Sequence, residues 1–308
     1  MAIPQGKSIH PADTNAWSPP LPEAAGFEHF LVDTPGLHTH VAVIGEGEPV
    51  IMLHGFPQHW WQWRNIAPVI AAQGFQVFCP DLRGAGWTVA DDPYIEHQTR
   101  MRDLLGLFNA LGIGSAHLIS HDMGVISAIQ LSYEYPARVR SAIQLAVFPA
   151  FAKFHPKLAP AFQHLPGLIW HRPGASLRDT FSARYMAHPV SDDIAAAYLA
   201  PLQRPQIDAA VRPLTRKMIF PEALRILRGT YRRRRLTVPT LVVYGRQDHP
   251  TTEELMKTIC PNPDRYADHV EFAYLDDAAH FITDDAPQAV ANLAVTWLHQ
   301  RTEHQEAA

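Results

Sequence analysis

The residues best placed to do chemistry lie in LISHDMGVI, positions 118–126. An apolar run ends at Ser120, Asp122 follows two residues later, and Gly124 opens a helical pattern. A strand that turns sharply into a helix around an exposed nucleophile needs small residues two before and two after it, because larger side chains would strike the neighbouring strand and helix. Ser120 and Gly124 meet that requirement around Asp122. Centred on Ser120, the same turn would put Leu118 and Asp122 at the crowded positions, so the serine is a poor nucleophile. Two readings of Asp122 stay open on the pentapeptide alone: a nucleophile, or a carboxylate capping the following helix.

A carboxylate is ionised at neutral pH and attacks without a base. Displacing a leaving group from saturated carbon leaves an alkyl ester on the enzyme. Hydrolysis of that ester needs a base for water and donors for the developing oxyanion. His280, in YLDDAAHF, lies beyond the last predicted strand and before the last helix, the place of the base in the chain order nucleophile, acid, histidine. The chain has 18 histidines, so this order rather than residue type singles it out. Asp248 directly follows the apolar run LVVYG, where it can hold the imidazole tautomer. The other customary place for the acid, after SAIQLAVF, offers only Ala146, Val147 and Phe148. Asp276 and Asp277 are so near His280 along the chain that capping or surface roles suit them better. VIMLHGFPQ brings the Phe56 N–H, which would pair with that of Met123 as oxyanion donors. His54 in that segment is expected to set the loop by hydrogen bonding rather than to react.

These groups need a scaffold. From about 27 to 147, strand-like runs (FEHFLVD, THVAVIGEG, PVIMLHG, FQVFCPD, AHLIS, SAIQLAVF) alternate with the helical stretches WQWRNIAPVIAAQ, TRMRDLLGLFNALGI and VISAIQLSYEY. In the second of these helices Met101, Leu104, Leu105, Phe108 and Leu111 recur at helical spacing. Alternation of this kind predicts a doubly wound α/β core with a mainly parallel sheet. Between 149 and 236 the strand signal stops and prolines, aromatics and short helical pieces take over, which reads as an inserted helical cap. The alternation resumes over 237–308 with TVPTLVVYGRQD, TTEELMKTI, HVEFAYLDD and a closing helix after Pro287, whose Val290, Leu293, Ala294, Trp297 and Leu298 share one face. Residues 1–26 form a proline-rich arm, and 27–148 with 237–308 form the core.

Composition narrows the class. The chain is 47% hydrophobic and carries a net charge of −4, as expected of a globular enzyme without a general affinity for nucleic acid or anionic membrane. The basic block RRRR at 232–235 reads as a solvated turn beside a cleft. Cys79 and Cys260, without CxxC spacing, suggest neither a disulfide framework nor a metal site. With no signal-like or spanning apolar segment, a cytoplasmic monomer or homodimer is expected.

Taken together, HGFPQHWWQWR, PDLRGAGWT, SHDMG, YGRQD and AAHF resemble the α/β-hydrolase superfamily, and within it the aspartate-nucleophile branch of epoxide hydrolases and dehalogenases. The resemblance covers about 27 to 300 apart from the cap. It implies an eight-stranded, mostly parallel sheet with a helical cap, no cofactor, and a small apolar epoxide and water as reactants. Asp122, Asp248 and His280 would be the catalytic set, opening the epoxide to a vicinal diol. Dehalogenases of the branch carry tryptophan or arginine after the nucleophile, where this chain has Met123, and a second arginine one turn on, where it has Ile126. A haloalkane or haloacid dehalogenase is therefore the alternative, and a non-catalytic receptor on the same fold the alternative from another class. The branch also uses two cap tyrosines on the epoxide oxygen. Here Phe162 occupies the first likely place, with Trp170 and His171 nearby as donors. Tyr231 is the candidate for the second, a three-residue shift would substitute Arg228, and Tyr185 and Tyr198 stand in reserve.

Overall fold

The computed structural model describes residues 8–14, 17–92 and 95–306. Residues 1–7, 15 and 16 of the predicted arm lie outside the described residues. The strands are β1 (Ile9–Pro11), β2 (Glu28–Thr34), β3 (Leu37–Ile44), β4 (Glu48–Leu53), β5 (Phe75–Pro80), β6 (Val89–Ala90), β7 (Ala116–His121), β8 (Val139–Leu145), β9 (Thr240–Gly245) and β10 (Val270–Leu275). They form one sheet in the order β1-β2-β3-β5-β4-β7-β8-β9-β10, with β6 paired to β3 off that path. Pairing is antiparallel from β1 to β5 by way of β2 and β3, and parallel from β5 through β4, β7, β8 and β9 to β10.

The described residues thus give ten strands where the resemblance implies eight. All eight expected runs are present, and the two additions are β1, from the N-terminal arm, and β6. Runs of three and two residues are too short to show the alternation by which a strand is recognised. β1 ends at Pro11, a residue that an edge strand tolerates because it owes no N–H to a further neighbour.

Strands β5, β7 and β9 are buried along their whole length, as parallel strands covered on both faces must be. One face carries α2 (His97–Ala110) and α3 (Met123–Glu134), burying Leu104, Phe108, Val125 and Ile129. The other carries α1 (Ala67–Ala71) and the closing helix, burying Ile66, Ile70, Val290, Trp297 and Leu298. Each such side chain removed from water contributes about 1.5–3 kcal/mol, so the two layers hold the strand ends in fixed relation. The helix expected over WQWRNIAPVIAAQ is split into a short turn at Trp60–Trp63 and α1. Pro68, which cannot donate to a preceding turn, forces the new start.

Between β8 and β9 the described chain is helical, with α4 (Leu165–Ile169), α5 (Asp192–Leu199), α6 (Pro205–Leu214) and α7 (Phe220–Leu227). Helices α8 (Glu253–Ile259), α9 (Ile282–Asp285) and α10 (Pro287–Glu306) complete the fold. No helix among the described residues is long and apolar enough to cross a membrane. The arginine run is tied to the scaffold: Arg232 donates to the Ala152 carbonyl at 2.8 Å, Arg234 to the Tyr133 carbonyl, and Arg235 pairs with Asp268.

Candidate active site

Asp122 occupies the sharp turn between β7 and α3, with φ 46° and ψ −120°. A non-glycine residue in that region is strained and must be held by its surroundings. Gly124 shows how: a Cβ there would lie 2.2 Å from the Leu53 carbonyl oxygen, so α3 packs so close to β4 that only glycine fits. Ser120 is fully buried and donates its hydroxyl to the Ile143 carbonyl at 3.1 Å, which removes it as a nucleophile. The side chain of Asp122 makes no capping bond to α3. Its Oδ2 instead accepts the Phe56 N–H at 2.9 Å. Met123 lines the cavity above, but of the two expected N–H donors only that of Phe56 reaches the carboxylate.

The loop carrying Phe56 is built from its own polar residues. Gly55 N–H donates to Gln62 Oε1 at 3.0 Å, His54 Nδ1 donates to the Gly55 carbonyl at 2.7 Å, and His54 Nε2 accepts the Leu82 N–H at 2.9 Å. Both nitrogens of His54 are therefore occupied in holding the loop.

Asp248 follows β9, and His280 sits in the turn between β10 and α9. The imidazole lies between the two carboxylates, with Nδ1 3.5 Å from Asp248 Oδ2 and Nε2 3.9 Å from Asp122 Oδ1. The first distance is at the long limit of a hydrogen bond, and the second is beyond it. Burial works against a charged imidazole, but the Asp248 hydrogen bond and the charges of Asp248 and Asp122 outweigh it and raise His280 to about 9. Asp122 moves the other way: burial opposes its charge, yet His280, His121 and the Phe56 N–H hold it below the ordinary carboxylate value. The pair favours carboxylate and imidazolium.

A set of residues braces this centre, of which the sequence singles out only Tyr198, and that for another role. Gln58 Nε2, Arg64 Nη2 and the Tyr198 hydroxyl converge on the buried carboxylate of Asp284 in α9, at 2.7, 2.9 and 2.9 Å. The knot joins the Phe56 loop, the helical segment and the His280 turn. It also spends the Tyr198 hydroxyl, which leaves the group of candidate donors.

Above Asp122 lies a cavity of about 810 Å³ whose walls include Phe148, Phe162, Leu168, Ile219 and Ile226. The expected donors separate here. Tyr231 does not reach the cavity: it is fully buried, packs 4.7 Å from the Tyr133 ring and gives its hydroxyl to Glu222. The chain reverses at Gly229, φ 72°, and delivers Tyr231 to the core side, over α3. Arg228 is exposed and outside the cavity lining. His171 lines the cavity but its Nε2 is bound to Asp208 at 2.6 Å. Trp170 stands at the rim, 69% exposed, with the Arg216 guanidinium 4.6 Å over its ring. Phe162 lines the wall and has nothing to donate.

Of the expected donors Tyr185 remains on the wall, with the His164 ring edge-on at 6.2 Å, in a lining that also carries Gln163, Thr180 and Arg184. The sequence reading passed over His164, two residues beyond Phe162 in AFQHLPG. Burial pushes its imidazole down and outweighs the opposing charge of Asp122, so the ring is neutral near pH 7. The signal for it was the helix start at Leu165-Pro166, which places residue 164 at an N-cap.

Residues 48–287 match the family model described as alpha/beta hydrolase fold. The chain is similar to "Epoxide hydrolase 2" of Siraitia grosvenorii, 37% identical over 145 residues, which are 46% of this chain and 45% of that protein. It is also similar to "Bifunctional epoxide hydrolase 2" of Sus scrofa, 24% identical over 92% of this chain and 58% of that one. It spans about half the length of these curated relatives. Among solved structures, a Pseudomonas aeruginosa protein provisionally described as an epoxide hydrolase matches with a TM-score of 0.76 and 26% identity, over 92% of this chain and 98% of that one.

Proposed function

Because the chain belongs to the α/β-hydrolase fold family, with epoxide hydrolases among its relatives, we propose that it hydrolyses epoxides to vicinal diols through an alkyl ester on Asp122. The observation that carries this reading is the single arrangement of an ionised carboxylate on a strained turn, a histidine and second carboxylate behind it, and an apolar cavity in front. Residues 149–236 act as the cap that closes this cavity.

In the first half-reaction an Asp122 oxygen attacks an epoxide carbon, the carbon–oxygen bond of the ring breaks, and the departing oxygen carries the negative charge. Tyr185 and His164 are the donors placed to stabilise it. The charge of Asp122 disappears on alkylation, so one of the interactions that raise His280 is lost. His280 then yields its proton, which balances the alkoxide. Neutral His280, oriented by Asp248, takes a proton from water as the hydroxide adds to the ester carbon. The Phe56 N–H, already bound to the carboxylate, holds the oxyanion, with the Met123 N–H the expected second donor; the ester bond breaks, and its oxygen takes the proton from His280 and leaves as the second hydroxyl of the diol.

The test is product analysis over a panel of aryl and alkyl epoxides, haloalkanes and haloacids. Diol formation that is lost in Asp122→Asn supports the reading. Halide release without diol would replace it with dehalogenation, and binding without turnover would replace it with a receptor.

A further inference from the structure

His121 is the last residue of β7, fully buried and adjacent to Asp122, and the two half-reactions above give it no step. Its Nε2 lies 2.8 Å from the backbone carbonyl oxygen of His280. A carbonyl only accepts, so Nε2 carries the proton and Nδ1 is a bare acceptor. Nδ1 is buried without a hydrogen-bond partner, among the described residues. It faces Gly55, where an added Cβ would come within 2.6 Å of it, so the ring is wedged against the loop that carries Phe56. A phenylalanine would fill this volume without burying an unpaired nitrogen. The histidine makes sense for the one bond it does form.

That bond closes a clamp on the peptide of His280. On the other side the His280 N–H donates to the Tyr185 carbonyl at 3.0 Å, as does the Phe281 N–H at 3.3 Å. The His121 and His280 rings lie 5.3 Å apart at 48°. Burial, helped by the nearby His280, lowers His121 to about 4, so it stays neutral and does not compete as a base.

We propose that His121 is a positioning residue for ester hydrolysis: by holding the His280 carbonyl it fixes where the imidazole aims when water must be activated. The inference rests on the ester reading above. Attack by Asp122 does not depend on the aim of the imidazole, whereas proton abstraction from water does. Loss of the clamp therefore slows the second half-reaction and spares the first.

Rapid-quench single-turnover kinetics with an epoxide that the protein turns over, following ester and diol separately, tests this in His121→Leu and His121→Gln. The glutamine amide nitrogen occupies roughly the place of Nε2 and keeps a donor; leucine removes it. In His121→Leu the ester is expected to form within about twofold of the wild-type rate and to decay at least about 10-fold more slowly, and His121→Gln restores decay to within about threefold. Should the leucine variant not fold, His121→Phe, which keeps a ring and no donor, carries the same expectation. Equal slowing of both steps, no slowing of either, or no recovery with glutamine overturns the positioning role. Failure of the reading beneath it looks different: diol formed without any ester on Asp122, in the wild type and in His280→Gln alike.

Discussion

At the ends of β7 and β9 the polar side chains converge on one open point, whereas in the helical segment between β8 and β9 several buried ones are taken up by partners of their own. Asp122, Asp248 and His280 come together within 4 Å steps beneath a cavity. In the helical segment Tyr231 is taken by Glu222, His171 by Asp208 and Tyr198 by Asp284. The first region is governed by backbone geometry that permits few residue types. The second is governed by helix packing, in which a polar residue becomes either a donor to substrate or a strut according to how the chain turns.

This difference explains what was legible in the sequence. The elbow was readable because φ 46° at residue 122 and the 2.2 Å approach at Gly124 admit few alternatives. The eight main strands were readable because parallel strands covered on both faces are written as apolar runs. Tyr231 was misplaced because its residue type and position fit a donor, while its direction depends on a turn at Gly229 and on a partner, Glu222, nine residues earlier. His164 was missed because Phe162, two residues earlier, held the expected place, and the helix start at Leu165-Pro166 marks residue 164 as an N-cap without showing which way its side chain points. The Asp284 knot draws on Gln58, Arg64 and Tyr198, which lie up to 226 residues from Asp284, a convergence with no local trace.

The sharpest way to break the comparison is at the elbow. Asp122→Asn keeps the shape and tolerates a positive φ but is no nucleophile, so diol formation should fall at least about 10⁴-fold. His280→Gln should slow steady-state turnover about 10³-fold while ester accumulates, seen as a mass increase on the protein after mixing with epoxide. A variant that loses both steps together would argue against separate roles for the two residues.

In the helical segment effects should be smaller and should divide by direction. Tyr185→Phe and His164→Phe are expected to slow ester formation about 10-fold each, in stopped-flow or quench measurements, because each removes one donor to the opening ring. Tyr231→Phe should leave turnover within about twofold, yet cost about 1–3 kcal/mol in urea unfolding, since buried Glu222 loses a hydrogen-bond donor. A large catalytic defect in Tyr231→Phe, with unchanged stability, would return that residue to the site.

The last effect is in stability against pH. His280 is raised in the folded state from 6.5 to about 9, so the stabilisation it brings is fully present below about pH 6.5 and fades as pH rises through about 9. The fade should be on the order of a few kcal/mol in urea unfolding and smaller in Asp248→Asn, which removes the leading favourable contact. An identical pH profile in the two proteins would contradict the pairing.

The most direct measurement is a single turnover in oxygen-18 water with enzyme in excess over epoxide, followed by mass analysis of the peptide containing Asp122. Hydrolysis of an alkyl ester at the carboxylate carbon leaves the solvent oxygen in Asp122 and delivers an unlabelled original carboxylate oxygen to the diol. Label in that peptide is the predicted result. Diol carrying the label from the first turnover, with an unlabelled Asp122, would contradict the account.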